Sequence, residues 1–128
     1  MTDPLVTAAR AAQARAYAPY SNFRVGAALE TESGDVYVGC NVENASYGLT
    51  ICAERAAVCA ALAGGAQRFR RAVVVSDADP PAAPCGACRQ VLAEFGAELR
   101  VDAVGPRRTA SWTIAELLPA AFGREQLA

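Results

Sequence analysis

Apolar and polar positions change their spacing several times along this chain, and each change marks an element. Leu5, Val6, Ala9 and Ala12 recur at helical intervals behind Asp3-Pro4. That pattern predicts a helix capped by Asp3, with proline in its first turn and a stop at Tyr17-Ala18-Pro19. Val25 to Thr31 and Val36 to Cys40 read as strands joined by the turn Glu32-Ser33-Gly34-Asp35, and the polar stretch from Asn41 to Leu49 as a loop. Thr50 is the expected cap of a long helix that runs to about Leu62 and stops at Gly64-Gly65. Ala72-Val73-Val74-Val75 is an unbroken apolar run of the buried-strand kind. Pro80, Pro81 and Pro84 hold an extended loop, after which Cys85 opens a helix lasting to about Phe95. Leu99 to Val104 and Arg108 to Trp112 predict two further strands. Thr113 with Glu116 forms a capping box for a last helix carrying Leu117, Leu118 and Phe122. The order predicts one domain over residues 1–128, an α/β fold in which a mixed five-stranded sheet lies between helical layers as a three-layer sandwich.

Composition narrows the picture. The chain has 128 residues, 53% of them hydrophobic, and much of that fraction is alanine. A partly apolar exterior follows, which suggests subunit contacts. Net charge is −1 and the sequence pI about 5.4, so no general attraction to nucleic acid is expected. The basic doublets Arg70-Arg71 and Arg107-Arg108 lack interleaved aromatics and read as solvated surface. There is no transmembrane run, and Asp3 and Pro4 stand where a signal peptide needs apolar residues. Five cysteines without an export signal argue for reduced thiols and a cytoplasmic address.

The candidate chemistry lies in two short segments, Cys52-Ala53-Glu54 and Pro84-Cys85-Gly86-Ala87-Cys88. Each falls at the start of a predicted helix. Cys85 and Cys88 are one helical turn apart, so both sulfurs face one point. On its own this CxxC is shared with redox dithiols. With Cys-x-Glu about thirty residues upstream it specifies a zinc site with three thiolates and one corner left for water. A carboxylate beside an open corner is the layout of catalytic zinc, not structural zinc. Because the chain contains no histidine, every ligand must be Cys, Asp or Glu. Three thiolates and one Zn²⁺ carry a net negative charge, which two helix N-termini offset in part. Arg55 is a further candidate to withdraw charge by donating hydrogen bonds to the thiolates. Glu54 is expected to transfer protons. Cys40 and Cys59 read as small buried hydrophobes.

These residues resemble the zinc nucleoside and nucleobase deaminases, whose signature joins Cys-x-Glu to Pro-Cys-x-x-Cys. Longer matches, Tyr20 to Leu29, Gly39 to Ala45, Ile51 to Arg55, Pro84 to Gln90 and Glu116 to Phe122, are similar to the small homotetrameric cytidine deaminases. The likeness runs from roughly residue 5 to 124. It implies hydrolysis of cytidine and 2′-deoxycytidine to uridine and 2′-deoxyuridine with release of ammonia, in pyrimidine salvage. It implies one Zn²⁺ per chain on Cys52, Cys85 and Cys88, and Glu54 as the proton shuttle. Asn41 and Glu43 match the pair that binds ribose, and Phe23 an aromatic that packs on the base. Ala53 offers backbone polar groups to the pyrimidine edge. Tyr47 and Phe122 match residues supplied by neighbouring subunits, which makes a homotetramer the expected partner arrangement.

Other classes fit less well. A deaminase for an aminonucleoside antibiotic such as blasticidin carries a similar zinc signature, but Asn41-Val42-Glu43-Asn44 reads as the ribose-binding form. A polynucleotide editor needs a basic aromatic groove. A purely structural zinc module has no use for Glu54, and a redox dithiol protein with an unrelated Cys52 is the remaining option, which stoichiometric zinc in the purified protein excludes.

Overall fold

The computed structural model describes residues 3–127. Five strands form one sheet in the order β2-β1-β3-β4-β5. They are β1 (Gly26–Thr31), β2 (Val36–Cys40), β3 (Phe69–Val75), β4 (Arg100–Val104) and β5 (Thr109–Thr113). β3 and β4 run parallel, and the other neighbouring pairs are antiparallel, so the sheet is mixed. Four helices accompany it: α1 (Pro4–Gln13), α2 (Ala53–Ala63), α3 (Gly86–Ala93) and the single turn α4 (Ile114–Leu117).

Strand alternation divides the core into two layers. Ala27, Leu29, Ala72, Val74 and Val101 face α2 and share a cluster with Ala53, Ala57, Val58 and Ala61. Ala28, Val73, Val75 and Val104 point the other way, against Leu5 and Ala9 of α1. Two glycines let the helices reach the sheet. A Cβ on Gly26 would stand 1.9 Å from the Ala9 carbonyl oxygen, and one on Gly39 would stand 2.3 Å from the Ala57 nitrogen. Only glycine permits these approaches.

The element order, the sheet and the helices on both faces agree with the sequence expectation. Four local expectations are corrected. α1 ends at Gln13, short of Tyr17, because Tyr17 enters an extended pairing: its N–H donates to the Asn41 carbonyl and its carbonyl accepts from the Glu43 N–H. Cys52, not Thr50, caps α2; the Thr50 hydroxyl accepts from the Asn44 N–H at 3.2 Å. The last helix stops after one turn. Pro119 disfavours helical geometry at Leu118, whose φ of −140° and ψ of 72° leave the helix, so Phe122 lies beyond it. Cys59 is exposed and Cys40 half-buried, since Ala53, Ala57 and Ala61 take the inward stripe of α2. Arg71 also departs from the solvated reading. It is half-buried and bridges Asp3 at 2.6 Å and Asp102 at 2.7 Å.

Candidate metal centre

Two helix starts carry the cysteines. Cys52 caps α2 with φ −74° and ψ 154°, and Cys85 caps α3 with φ −67° and ψ 167°. Both are extended, as a cap requires, and both thiols lie where the helix dipoles are positive. Cys88 sits inside the first turn of α3 and is fully buried.

The Sγ atoms of Cys52, Cys85 and Cys88 all lie within 4.8 Å of one another, with Cys52 and Cys85 3.8 Å apart. Sulfurs bound at about 2.3 Å to a tetrahedral ion stand about 3.8 Å from each other. The three residues thus fit zinc in both donor chemistry and spacing. Among the described residues no other group of three such side chains converges this way.

The surroundings set the charge on these groups. Burial beside Glu54 and Cys52 pushes the Cys88 thiol strongly upward. Burial also acts against the Cys85 thiolate, but N–H groups of Cys88 and Ala87 and the neighbouring thiols outweigh it and hold that thiol below its usual range. Arg55 turns its guanidinium into the cluster and donates from Nη2 to Cys52 Sγ at 3.5 Å. That bond raises the Arg55 pKa.

Glu54 is 6% exposed. Burial raises its carboxyl above the ordinary range, while its own N–H, Arg55 and Cys88 pull in the other direction. An apolar-walled site that lifts a carboxylate is the usual environment of a residue that both takes and gives protons.

A pocket of about 190 Å³ opens at this point. Phe23, Asn41, Ala53 and Glu54 line it together with Cys52 and Cys85, so the structure gathers most of the expected site. Val25, Thr50, Ile51, Val74, Ser76, Ala82 and Ala83, to which the sequence assigns no role at the site, complete the wall. The proline-rich loop before Cys85 was the available signal, since it delivers Ala82 and Ala83 beside Cys52 and Cys85. Glu43 and Tyr47 line an adjoining hollow with Tyr20, Ser21 and Thr50. Phe122 lies elsewhere, 58% exposed beside a groove between α3 and α4.

Two of these polar residues are already occupied. Asn41 accepts from the Val25 N–H at 2.8 Å through Oδ1 and donates from Nδ2 to the Phe23 carbonyl at 2.8 Å. Glu43 accepts from the N–H groups of Tyr20 and Ser21 at 2.9 and 3.1 Å and from the Ser21 hydroxyl. Those bonds, the hydroxyl first, hold its carboxyl below the usual range.

A three-thiol metal site with a buried carboxylate, set at two helix starts on a mixed sheet, defines the class as a zinc-site enzyme of α/β/α architecture. Comparison with known proteins carries this further. The family model for the cytidine and deoxycytidylate deaminase zinc-binding region matches residues 2–102. A cytidine deaminase from Sporosarcina psychrophila is 44% identical over 127 residues, 98% of this chain and 93% of that protein. One from Mycobacterium tuberculosis is 50% identical over 118 residues, 91% of this chain and 85% of that protein. The crystal structure of a cytidine deaminase from Burkholderia pseudomallei matches with a TM-score of 0.91 at 51% identity, covering 95% of this chain and all of that one. This chain belongs to the cytidine deaminase family of zinc-dependent enzymes. No helix among the described residues is long and apolar enough to cross a membrane.

Proposed function

We propose that the chain hydrolyses cytidine and 2′-deoxycytidine to uridine and 2′-deoxyuridine with loss of ammonia, as a one-domain cytoplasmic enzyme of pyrimidine salvage. The observation that carries this reading is the buried carboxylate of Glu54 in the same pocket as Cys52 and Cys85.

Cys52, Cys85 and Cys88 hold the metal. Bound there, zinc would supply the Lewis acidity that lowers the pKa of a water to near neutrality. Glu54 takes a proton from the attacking water and delivers it to N3 of the cytosine ring, which makes C4 electrophilic. The water oxygen bonds to C4. Glu54 then carries the remaining water proton to the exocyclic nitrogen, the C4–N bond breaks, and ammonia leaves as the C4 carbonyl forms. A raised carboxyl pKa suits a group that must be base and acid in turn. Arg55 withdraws charge from the Cys52 thiolate and so tunes the metal.

Phe23 packs on the base, and the backbone of Ala53 meets the pyrimidine edge. Asn41 and Glu43 bind the ribose. Each retains capacity for it: an amide carries two donors and two lone pairs, and a carboxylate accepts about four hydrogen bonds. Tyr47 and Phe122 serve the pockets of neighbouring subunits in a homotetramer. Tyr47 is 73% exposed, and Val36, Val38, Leu49 and Leu62 leave further apolar surface uncovered on the single chain, which supports such contacts.

The test follows cytidine absorbance with native enzyme, with chelator-treated enzyme and with Glu54→Gln. Native turnover, lost on chelation and in the variant while the variant keeps its zinc, is the expected result. Absence of native turnover overturns the proposal. Blasticidin S in place of cytidine separates the aminonucleoside alternative.

A further inference from the structure

The pocket wall from Phe23 to Val25 precedes β1 and lies outside the sheet ladder, yet side chains hold it almost atom by atom. The Phe23 N–H donates to Ser21 Oγ at 3.0 Å, and the Phe23 carbonyl accepts from Asn41 Nδ2. The Val25 N–H donates to Asn41 Oδ1. The Arg24 carbonyl accepts from Gln13 Nε2 at 3.2 Å.

Gln13 differs from the others in position and reach. It is the last residue of α1, on the far side of the sheet from α2, and only 8% exposed. Its Nε2 also donates to Asp77 Oδ1 at 3.3 Å. Asp77 follows Ser76, which lines the same pocket just past the Gly26–Val75 pair where β1 and β3 leave their ladder, in the loop that continues to Ala82 and Ala83. Both partners of Nε2 are acceptors only, which fixes the nitrogen toward them. The backbone of Gln13 is itself held against β1, since a Cβ on Gly26 would stand 2.4 Å from its nitrogen. One buried amide on a rigid support thus ties two walls of the pocket together.

We propose that Gln13 is a positioning residue for substrate binding. It sets the spacing between the Phe23 wall and the Ser76 to Ala83 wall, and through it the fit of the nucleoside. This inference rests on the reading of the pocket as the cytidine site. Gln13 touches neither metal ligands nor Glu54, so its loss is felt in the fit of substrate before it is felt in proton transfer.

Gln13→Glu keeps the shape but sets a carboxylate against two acceptors. Its expected effect is a rise in KM for cytidine of about tenfold, the scale of a lost hydrogen bond to a charged group, with kcat within about twofold and full zinc content. Gln13→Leu, of similar size and without donors, gives the same split. Asp77→Asn in the Gln13→Glu background places a donor opposite the new carboxylate and recovers a large part of the lost KM, as coupled neighbours do in a double-mutant cycle. Asp77→Ala, which lies in a surface loop, raises KM by a smaller factor.

Wild-type KM in both Gln13 variants overturns the inference. So does a KM change matched by equal losses of kcat and zinc, or a double variant no better than Gln13→Glu. If the wild-type protein itself leaves cytidine unchanged, the reading of the pocket falls first, and the two failures are told apart by that control.

Discussion

Arg55 and Cys52 meet one turn apart on α2, with the guanidinium Nη2 3.5 Å from the cysteine sulfur. The Nε of the same side chain is buried and has no partner among the described residues. An arginine drawn into a cluster of thiols, at the cost of one unmet donor, is held there by charge. Arg55→Gln keeps a donor but removes the charge. It is expected to lower kcat by about tenfold, within the range for groups that orient or tune metal ligands. Zinc content stays near one per chain. Unchanged kinetics with full zinc removes the role.

Glu54→Gln preserves the volume of this buried side chain while removing the titrating oxygen. Loss of a general acid and base costs about 10²–10⁴-fold in rate, and more when the same group orients the water. The expected outcome is turnover reduced by at least that range with zinc retained, checked by steady-state assay and elemental analysis of one preparation. Loss of zinc in parallel with activity contradicts the assignment.

Much of this was legible in the chain. Asp3 caps α1, accepting from the Leu5 N–H at 3.0 Å. Thr113 and Glu116 form the anticipated capping box, because such motifs satisfy their bonds within a few residues. The convergence of Cys52, Cys85 and Cys88 was legible for the same reason, each fixed to a helix start. What escaped was decided across the fold. Cys52 took the cap expected of Thr50 because the pairing of Val42 with Ile51 keeps residue 51 extended, so the helix cannot begin directly after Thr50. The outward turn of Cys59 depends on which stripe of alanines meets the sheet. No local pattern marks Gln13, because its two partners lie 11 and 64 residues away. Arg71 belongs to the same group, with partners at the cap of α1 and on β4.

That Arg71 network gives a pH prediction remote from the metal. Asp102 is 1% exposed and accepts from Arg71 and Arg100 at 2.7 and 3.0 Å. Burial alone would raise its pKa, but Ser111 and the two arginines outweigh it and lower the carboxyl below its ordinary value. The unfolded chain therefore binds the proton more readily than the folded one. Stability from this group is present above the unfolded value near ~3.9 and is lost as pH falls through the folded value. Asp102→Asn is expected to cost about 2 kcal/mol at neutral pH. The gap from wild type should narrow below about pH 4 in urea unfolding series. A gap that stays constant down to pH 3 rejects the linkage.

Cys40 and Cys59 offer a control on the ligand set. Neither belongs to the group of three converging sulfurs, so Cys59→Ser and Cys40→Ala are expected to bind one zinc per chain and to keep activity within about twofold, as replacements outside a metal site do. Cys88→Ser, by contrast, removes a buried soft ligand and is expected to lose most of the metal. Retention of zinc in Cys88→Ser contradicts the assigned ligand set.

Phe122 decides whether the site is shared between subunits. Its ring is largely exposed on the single chain, and its carbonyl is anchored by Gln90 Nε2 at 3.0 Å. Truncation therefore removes little buried area within the chain, and Phe122→Ala is expected to unfold close to the wild-type midpoint when assembly is intact. If the ring completes a neighbour's pocket, activity falls all the same. Complementation makes this decisive. A Glu54→Gln chain is inactive in its own site but still offers Phe122 to a neighbour, whereas a Phe122→Ala chain keeps Glu54 and lacks the ring it would donate. Mixed assemblies rebuild composite sites holding both wild-type groups. Co-refolded or co-expressed mixtures should thus exceed the summed activities of the separate variants, with assembly size followed by light scattering. Activity that never rises above that sum places Phe122 outside any neighbour's site.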